Sequence, residues 1–279
     1  FKEKSVYIVA EIGVNHEGNL KKAEEMIKLA KESGVDAVKF QTFKAEKYVS
    51  INQMERFRRV KKFELTYNNF SHLAKFAKKL GIRFFSTPLH FDDIDFLKKI
   101  TPIIKISSGD LTHLELIKYA AKKFEQIIIS TGLGTKKEIK DSVKIVQSVR
   151  PNILKERNLI LMHCVSAYPT ADEEANLNNI LWLKKNFRLP VGYSDHTKGI
   201  KACELSVPLG VNLIEKHFTY SRKNQSFHDH LLSAEPDEMK KLVKNVRKAE
   251  IILGSEVRAK NKSEILNFAN MRRSFCASK

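Results

Sequence analysis

Residues 82–110 read IRFFSTPLHFDDIDFLKKITPIIKISSGD. The stretch contains two short runs rich in Ile and Phe, at 82–86 and 103–106, and a helix-length segment at 92–99 separates them. Short runs of this composition are typical of strands that are buried on both faces of a parallel sheet. Both runs lead directly into polar residues. The stretch therefore predicts two buried parallel strands, joined by a helix, with polar groups at their carboxyl ends.

The same unit recurs along the whole chain. Further strand-like runs lie at 6–10, 37–41, 127–130, 159–164, 190–193 and 212–217. Helix-length segments with apolar residues three and four apart lie at 21–33, 70–80, 114–123, 136–149, 177–186, 200–209 and 236–253, the last beginning with Pro236. Eight strand–helix pairs predict an α/β fold of the closed (β/α)₈ TIM barrel type. An open doubly wound sheet is the alternative, but no Gly-x-Gly-x-x-Gly turn follows the first strand.

One connection differs from the rest. Segment 44–64 is longer and more polar than the other connections, and it predicts a loop over the mouth of the barrel. Beyond residue 253 the apolar pattern gives way to polar and charged residues.

Composition narrows the class of partner. The 279 residues include 50 Lys and Arg against 32 Asp and Glu, a net charge of +18, which favours anionic partners. The basic residues are spread over the predicted helices and do not alternate with aromatic residues, so a solvated Lys-rich surface is favoured over a nucleic-acid interface. No stretch is long and apolar enough for a bilayer. The three cysteines have no metal-binding spacing, and the first residues lack the form of a signal peptide. We expect a cytoplasmic protein with no membrane or nucleic-acid partner.

Polar side chains stand at the carboxyl end of every predicted strand, which is where barrel enzymes place their active sites. In chain order they are Glu11, Asn15 and His16, then Lys39 and Gln41, then Ser86 and Thr87, then Lys105, Ser107, Ser108 and Asp110, then Ser130 and Thr131, then His163, Ser166 and Tyr168, then Ser194, Asp195 and His196, and finally Glu215 and His217.

The two lysines among them suggest an anionic substrate. Lys39 and Lys105 could hold a carboxylate and a phosphate, and the hydroxyl-rich turns could add hydrogen bonds to phosphate oxygens. The alternative is structural: each lysine could simply pair with Glu11 or Glu215.

The histidines suggest a metal. His196 and His217 lie on neighbouring strands and could bind one divalent ion, with Glu215 or water completing the shell. Mn²⁺ suits such mixed ligands, with Mg²⁺ or Co²⁺ possible. A lone histidine at such a place is more often a core residue. The cluster His228–Asp229–His230 could also be a metal site, but its loop position favours hydrogen bonding to substrate or water.

The motifs taken together are similar to those of the sialic acid synthase family. They are Ala10-Glu11-Ile12-Gly13-Val14-Asn15-His16, Lys39-Phe40-Gln41-Thr42, Ser86-Thr87-Pro88, Lys105-Ile106-Ser107-Ser108-Gly109, Ser130-Thr131-Gly132, His163-Cys164 with Tyr168-Pro169-Thr170, Gly192-Tyr193-Ser194-Asp195-His196-Thr197, and Glu215-Lys216-His217-Phe218. Each motif is weak alone, but the set runs in family order from near residue 5 to near residue 255.

The resemblance implies an enzyme that condenses phosphoenolpyruvate with an N-acylmannosamine-type aldose to give a nonulosonic acid and phosphate. It implies that the phosphoenolpyruvate contacts are Lys39, Thr87, Lys105, Ser108, Ser130, Ser166 and Ser194. It further implies sugar contacts from Gln41, Tyr168 and Asp229, metal ligands His196 and His217, and carboxylates Glu11, Asp110 and Glu215 near the reacting atoms. Lys39 and Lys105 count among the catalytic residues, and a homodimer is expected.

The chain departs from the family pattern in three places. Asp110 stands where the family usually has Glu, and Phe227-His228-Asp229-His230 stands where it usually has Gly-Pro-Asp-His. The family also carries a C-terminal antifreeze-like domain, which is absent from this chain. We therefore expect a barrel catalytic domain over residues 1–255 and a polar tail or linker towards that missing domain over 256–279.

Several alternatives stay open at this point. The acceptor could be of the legionaminate or pseudaminate type, and an unphosphorylated sugar is preferred because no extra basic cluster stands out. A non-catalytic, degenerate phosphoenolpyruvate-binding barrel is another alternative. A third is an aldolase that forms a Schiff base at Lys39 or Lys105.

Overall fold

The protein is a closed barrel of eight parallel strands. The computed structural model describes residues 5–50, 52–223, 225, 227–273 and 275–277; the rest of the predicted barrel and tail lies outside this part. Strands pair in chain order, and the eighth pairs with the first. They are β1 (Tyr7–Gly13), β2 (Ala37–Thr42), β3 (Arg83–Pro88), β4 (Ile103–Ile106), β5 (Gln126–Ser130), β6 (Leu159–His163), β7 (Val191–Asp195) and β8 (Leu213–His217). The predicted TIM barrel is confirmed, and the open sheet is excluded.

Helices surround the strands. They are α1 (Leu20–Glu32), α2 (Ala45–Tyr48), α3 (Met54–Phe63), α4 (Tyr67–Lys79), α5 (Phe91–Leu97), α6 (Leu114–Lys123), α7 (Lys136–Val149), α8 (Ile153–Glu156), α9 (Asn179–Phe187), α10 (Lys201–Ser206), α11 (Asp229–Leu232), α12 (Pro236–Leu253) and α13 (Lys262–Met271). The eight predicted helices correspond to α1, α4, α5, α6, α7, α9, α10 and α12. Among the described residues no helix is long and apolar enough to cross a membrane.

Local sequence explains where the outer helices begin. Thr135 caps α7 by accepting a hydrogen bond from the backbone N–H of Glu138, whose side chain accepts one from the Thr135 N–H in return. Pro236 occupies the first turn of α12, as predicted, where its missing N–H costs nothing. These caps satisfy backbone groups that would otherwise be unpaired at the helix ends.

The barrel interior has two layers. The lower layer is apolar and consists of Tyr7, Val9, Ala37, Phe85, Ile103, Ile128, Ile160, Met162 and Leu213. Because side chains alternate along a strand, the residue two positions further on faces the same interior. On six strands that residue is polar and buried: Glu11, Lys39, Thr87, Lys105, Ser130 and Glu215. The upper layer is therefore a set of polar groups carried by the same strands as the core.

The end of β1 is irregular. The pairing with β2 shifts register between Glu11 and Gly13, and Gly13 has a left-handed φ of 54°. A Cβ at Gly13 would lie 3.2 Å from Glu11 Oε1, so a side chain would be crowded as well as strained. β1 was predicted to end at residue 10, so the structure places Glu11 within the strand rather than after it.

The connection after β2 corrects one prediction. Segment 44–64 is not a loop but contains α2 and α3. None of the α3 residues, all of which the structure describes, is buried. Because α3 buries so little surface, its sequence is polar and resembles that of a loop. The helix α13, within the predicted tail, was likewise not among the predicted elements, and every residue in it is exposed.

Candidate active site at the mouth of the barrel

A cavity of about 460 Å³ opens at the carboxyl ends of the strands. All of the predicted site residues except Asp110 line it: Glu11, Lys39, Gln41, Thr87, Lys105, Ser108, Ser130, Ser166, Tyr168, Ser194, His196, Glu215, His217 and Asp229. A space of this volume is within the range of ligand sites for small molecules. The structure thus brings together side chains from seven of the strands and, after β6, from the segment that follows the strand.

The floor of the cavity holds four charged groups. Lys39 Nζ lies 2.9 Å from Glu11 Oε2 and 3.7 Å from Glu215 Oε1, and Lys105 Nζ lies 3.1 Å from Glu215 Oε1. All four side chains are buried. The ion pairs of the lysines with Glu11 and Glu215, predicted as the structural alternative, are therefore present, but the same four groups also line the cavity. An anion entering this cavity meets two ammonium groups that are already desolvated.

The two carboxylates differ in protonation. Burial raises the pKa of Glu11 to about 7, against the opposing effect of Lys39. Burial also disfavours the charged form of Glu215, but Lys105 and Lys39 outweigh it and hold the pKa of that carboxyl below its usual range. Glu215 is therefore a fixed anion between the lysines. Glu11 can take up or release a proton near neutral pH.

The lysines respond in opposite directions as well. Burial lowers the pKa of Lys105, with Glu215 opposing the shift. Burial has the same effect on Lys39, but Glu11 and Glu215 together outweigh it and raise the pKa of that ammonium. Lys39 also donates a hydrogen bond to Thr87 Oγ1 at 3.2 Å.

Hydroxyl groups gather on the opposite side, around Gly132. Ser108 Oγ accepts a hydrogen bond from the Gly132 N–H at 3.1 Å, and Ser166 Oγ is buried without a partner in the described structure. A Cβ at Gly132 would lie 2.5 Å from Ser166 Oγ and 2.8 Å from Ser108 Oγ. Only glycine at this position leaves room for both hydroxyls in the cavity lining. They form a donor cluster of the kind that suits phosphate oxygens.

The two predicted metal ligands face each other. The ring centroids of His196 and His217 are 5.5 Å apart. His196 Nδ1 donates to the Val165 carbonyl at 2.5 Å, which leaves the lone pair on Nε2. His217 Nδ1 is buried with no hydrogen bond in the described structure. Burial lowers the pKa of both histidines, so both rings are neutral at pH 7.

The neutral rings have the chemistry of metal ligands, but they would need further donors. Among the described residues no group of three or more His, Cys, Asp or Glu side chains is placed to hold an ion. Asp229 Oδ2 approaches His217 Nδ1 only to 3.8 Å. A cation held here would therefore keep open positions for water or substrate.

The cluster His228–Asp229–His230 is not a metal site in the described structure, because its two histidines diverge. His230 is buried and bonds Thr219 Oγ1 at 2.7 Å. His228 and Asp229 line the cavity, with His228 Nε2 at 3.0 Å from Asp229 Oδ1. Hydrogen bonding of this cluster to substrate or water stays a prediction.

Several strand-end residues lie outside the cavity. Asp110 sits in the short turn Ser108–Asp110 and accepts a hydrogen bond from Ser107 Oγ at 2.6 Å. His163 bonds the Ala175 carbonyl at 2.8 Å, and Asn15 donates to the Phe218 carbonyl at 2.9 Å. Position at a strand end is therefore not sufficient: the alternation of side chains and the local turn decide which groups face the cavity.

Sequence reasoning missed the residues that α2 and α3 contribute to the rim. The lining includes Tyr48, Arg56, Arg59, Val60 and Phe63. Phe63 packs against Phe227, with ring centroids 4.8 Å apart. In the described part of the chain the side chain of Arg59 has no hydrogen bond or ion pair. The spacing of these residues, about one helical turn, is the signal that could have identified them.

The comparison with known proteins agrees with this geometry. The profile of the NeuB family matches residues 26–258. An uncharacterized protein of Methanocaldococcus jannaschii is 42% identical over the whole chain, which covers 81% of that protein. An N,N'-diacetyllegionaminic acid synthase of Campylobacter jejuni is 38% identical over 99% of this chain and 86% of its own length.

A solved structure is similar over nearly the same extent. The sialic acid synthetase of Leptospira borgpetersenii, crystallised in complex with citrate, superposes with a TM-score of 0.89 at 36% identity. The match covers 96% of this chain and 91% of that one. Since the family profile spans most of the chain and relatives above 30% identity span nearly all of it, this protein belongs to the NeuB family.

Proposed function

We propose that the protein condenses phosphoenolpyruvate with an N-acylmannosamine-type aldose, giving a nonulosonic acid and inorganic phosphate. The observation that carries the proposal is the buried group of two lysines and two carboxylates on the cavity floor. Membership of a family whose relatives are named as legionaminic and sialic acid synthases supports the product class.

The floor is suited to a small, strongly anionic substrate. Lys39 and Lys105 would hold the carboxylate and phosphate of phosphoenolpyruvate, with hydroxyls from Thr87, Ser108 and Ser166 adding hydrogen bonds. Ser130 and Ser194 also line the cavity, and Ser194 donates to Glu215 at 2.9 Å. Because the ammonium groups are already fixed by strands β2 and β4, binding needs little reorganisation, and much of the rate gain would come from positioning.

The reaction then requires one carbon–carbon bond and one hydration. The methylene carbon of phosphoenolpyruvate attacks the aldehyde carbon of the open-chain sugar, and positive character develops at the carbon that carries the phosphate. Glu11 and Glu215, which line the cavity beside the lysines, would stabilise that charge. Water adds there and Glu11 accepts one of its protons, the alkoxide formed from the aldehyde is protonated, and phosphate leaves with cleavage of the carbon–oxygen bond, so that the two protons of water end on the new hydroxyl and on phosphate. The pKa of Glu11, about 7, suits a general base at neutral pH.

The residues present fit a divalent cation. His196 and His217 would hold it through neutral nitrogens, of which His217 Nδ1 is buried without a partner in the described structure. When bound, the ion, with Mn²⁺ preferred and Mg²⁺ or Co²⁺ possible, would act as a Lewis acid on the sugar aldehyde. Gln41, Tyr168 and Asp229 also line the cavity and would contact the sugar.

The identity of the acceptor is the finer question. The 38% identity to a named N,N'-diacetyllegionaminic acid synthase favours a diacylated sugar as the second candidate acceptor. The chemistry at the cavity floor is the same for either sugar. The residues of the outer lining would therefore decide which sugar is accepted.

The test is phosphate release from phosphoenolpyruvate with Mn²⁺ and a panel of N-acylmannosamine-type sugars. We expect release that requires one of the sugars and stops when EDTA is added. Release without any sugar, or none from folded protein with the whole panel, would contradict the proposal. Borohydride trapping with pyruvate should give no adduct, and a covalent adduct at Lys39 or Lys105 would favour the aldolase instead.

A further inference from the structure

A second buried charge network lies directly behind the two histidines. Lys216 Nζ is 2.9 Å from Asp195 Oδ2, and both side chains are fully buried. Neither residue lines the cavity at the mouth. The reaction outlined above has no use for this pair, although it is more deeply buried than the charged groups on the cavity floor.

Asp195 is the centre of the network. Its carboxylate accepts hydrogen bonds from Tyr193 OH at 3.0 Å, from the Thr197 N–H at 2.8 Å and from Cys203 Sγ at 3.2 Å, in addition to Lys216. Every partner is a donor, so only an ionised carboxylate satisfies all of them. Lys216 Nζ also donates to the Thr197 carbonyl at 2.6 Å. The network joins β7, β8 and α10.

The register of the two strands relates this network to the histidines. Asp195 is paired with Lys216, and Ser194 with Glu215. His196 and His217 are the next residues along each strand. Since alternate side chains point to opposite faces, the pair lies on the helix side of the barrel while Ser194, Glu215 and the histidines face the cavity. A slip of one residue would exchange the two faces.

The backbone of each histidine is held by other bonds as well. The carbonyl of His196 accepts a hydrogen bond from the Thr170 N–H, and the carbonyl of His217 accepts one from the Ala234 N–H, each at 2.8 Å. These bonds hold each histidine to a neighbouring segment, but they do not join the two histidines to each other. Among the described side chains, the Asp195–Lys216 pair joins β7 to β8 on the helix side at this level.

We propose that Asp195 and Lys216 are positioning residues that hold His196 and His217 at the separation needed to bind one divalent cation together. The inference rests on the proposed function for its metal. A buried ion pair adds little net stability compared with apolar residues of the same volume, so stability alone does not account for it. A role in fixing the register of β7 and β8 would account for the burial of these two charges.

The test is Mn²⁺ binding by the whole chain carrying Lys216→Met, measured from the electron paramagnetic resonance signal of free Mn²⁺. Loss of a residue that hydrogen-bonds a metal ligand typically weakens metal binding by ~10–100-fold, and Lys216, which acts one step further out through strand register, should fall at the lower end of that range. We expect the Kd for Mn²⁺ to rise by at least about 10-fold. Binding of phosphoenolpyruvate without metal should change by less than about 3-fold, because Lys39 and Lys105 are untouched.

Tyr67→Phe is the matched control. Tyr67 OH donates to the buried Asp93 at 2.8 Å, on the side of α4 and α5, and neither residue lines the cavity. This variant should lower the melting temperature and leave the Kd for Mn²⁺ unchanged. Should Lys216→Met fail to fold, Tyr193→Phe removes one donor to Asp195 and keeps the pair, and a rise in Kd of about 2–4-fold is expected from the loss of one hydrogen bond.

The outcomes are distinguishable. If the wild type binds Mn²⁺ and the folded variants bind it equally well, the positioning role is overturned and the proposed function stands. If the wild type binds neither Mn²⁺ nor phosphoenolpyruvate, the proposed function fails, and this inference fails with it.

Discussion

The lower and upper layers of the barrel interior are built from the same strands but have opposite character. Val9, Phe85 and Ile128 in the lower layer are fully buried and apolar. Two residues further along the same strands, Glu11, Thr87 and Ser130 line the cavity. The distance between the layers is about 7 Å along a strand.

The difference separates the sources of stability and chemistry. The lower layer removes apolar surface from water and stabilises the closed barrel. The upper layer buries charges that contribute little to stability but meet an incoming anion without reorganisation. If this division is real, substitutions two residues apart should have effects of different kinds.

The largest expected effect is on activity, from Lys105→Ala. Removing this ammonium should lower kcat/KM for phosphoenolpyruvate by about 10³-fold or more, because a buried cation that holds the substrate anion and stabilises the departing phosphate is lost. The fold should be retained, since Glu215 still accepts a hydrogen bond from Ser194 and still lies 3.7 Å from Lys39. Phosphate release and circular dichroism measure the two properties. An unfolded variant, or near-normal turnover, would break the division.

Phe85→Ala should show the opposite behaviour. Truncating this fully buried ring should lower the free energy of unfolding by ~3–5 kcal/mol, because it removes apolar contacts and leaves a cavity. The kcat of the molecules that remain folded should stay within about 3-fold of the wild type, since the charged layer is intact. Urea unfolding and turnover at low temperature measure both quantities. A 100-fold loss of kcat in the folded variant would show that the layers are coupled.

Glu11→Gln tests the protonation state of the upper layer. Because the folded-state pKa of Glu11 is raised to about 7, the wild-type rate should increase as the pH rises through 7 and the carboxyl loses its proton. The glutamine variant cannot accept a proton, so its kcat should fall by ~10²-fold and the rise near pH 7 should disappear. A pH–rate profile measures both. An unchanged profile in the variant would assign the base to another group.

The smallest expected effect is at the rim. Arg59→Gln should raise the KM for phosphoenolpyruvate by about 2–5-fold at low salt, and the effect should shrink as salt is added, because this exposed charge acts by attraction over distance. Arg58→Gln is the matched control, since Arg58 lies on the same helix outside the cavity lining. Equal effects of the two variants would indicate the general field of the basic surface instead.

The barrel could be predicted from sequence because its strands are short, apolar and evenly spaced. All eight strands and their outer helices were placed within a few residues. Most of the cavity lining could also be predicted, since a barrel brings the carboxyl ends of its strands together. The exceptions have local causes. Asp110 lies in a tight turn that directs its carboxylate to Ser107, and such a turn leaves no periodic signal.

The rim could not be predicted for a different reason. Helix α3 is polar over most of its length and buries none of its described residues, so its sequence lacks the apolar content that marks the outer helices, although its few apolar residues share one face. Arg56 and Arg59 were therefore assigned to a loop. The sequence suggested that Lys39 could pair with Glu11 or Glu215, but not that both carboxylates share it, because a contact between β2 and β8 depends on the diameter of the barrel.

The bend at Gly13 has a consequence for engineering. To make this barrel accept new sugars, one would randomise the rim and the segment around Asp229. Gly13 on β1 could be included in such a library because a glycine has no side chain to lose. The left-handed backbone and the 3.2 Å approach to Glu11 mean that nearly every replacement would push that carboxylate aside. A library that randomises position 13 would therefore spend most of its members on inactive proteins, so this codon is best kept constant.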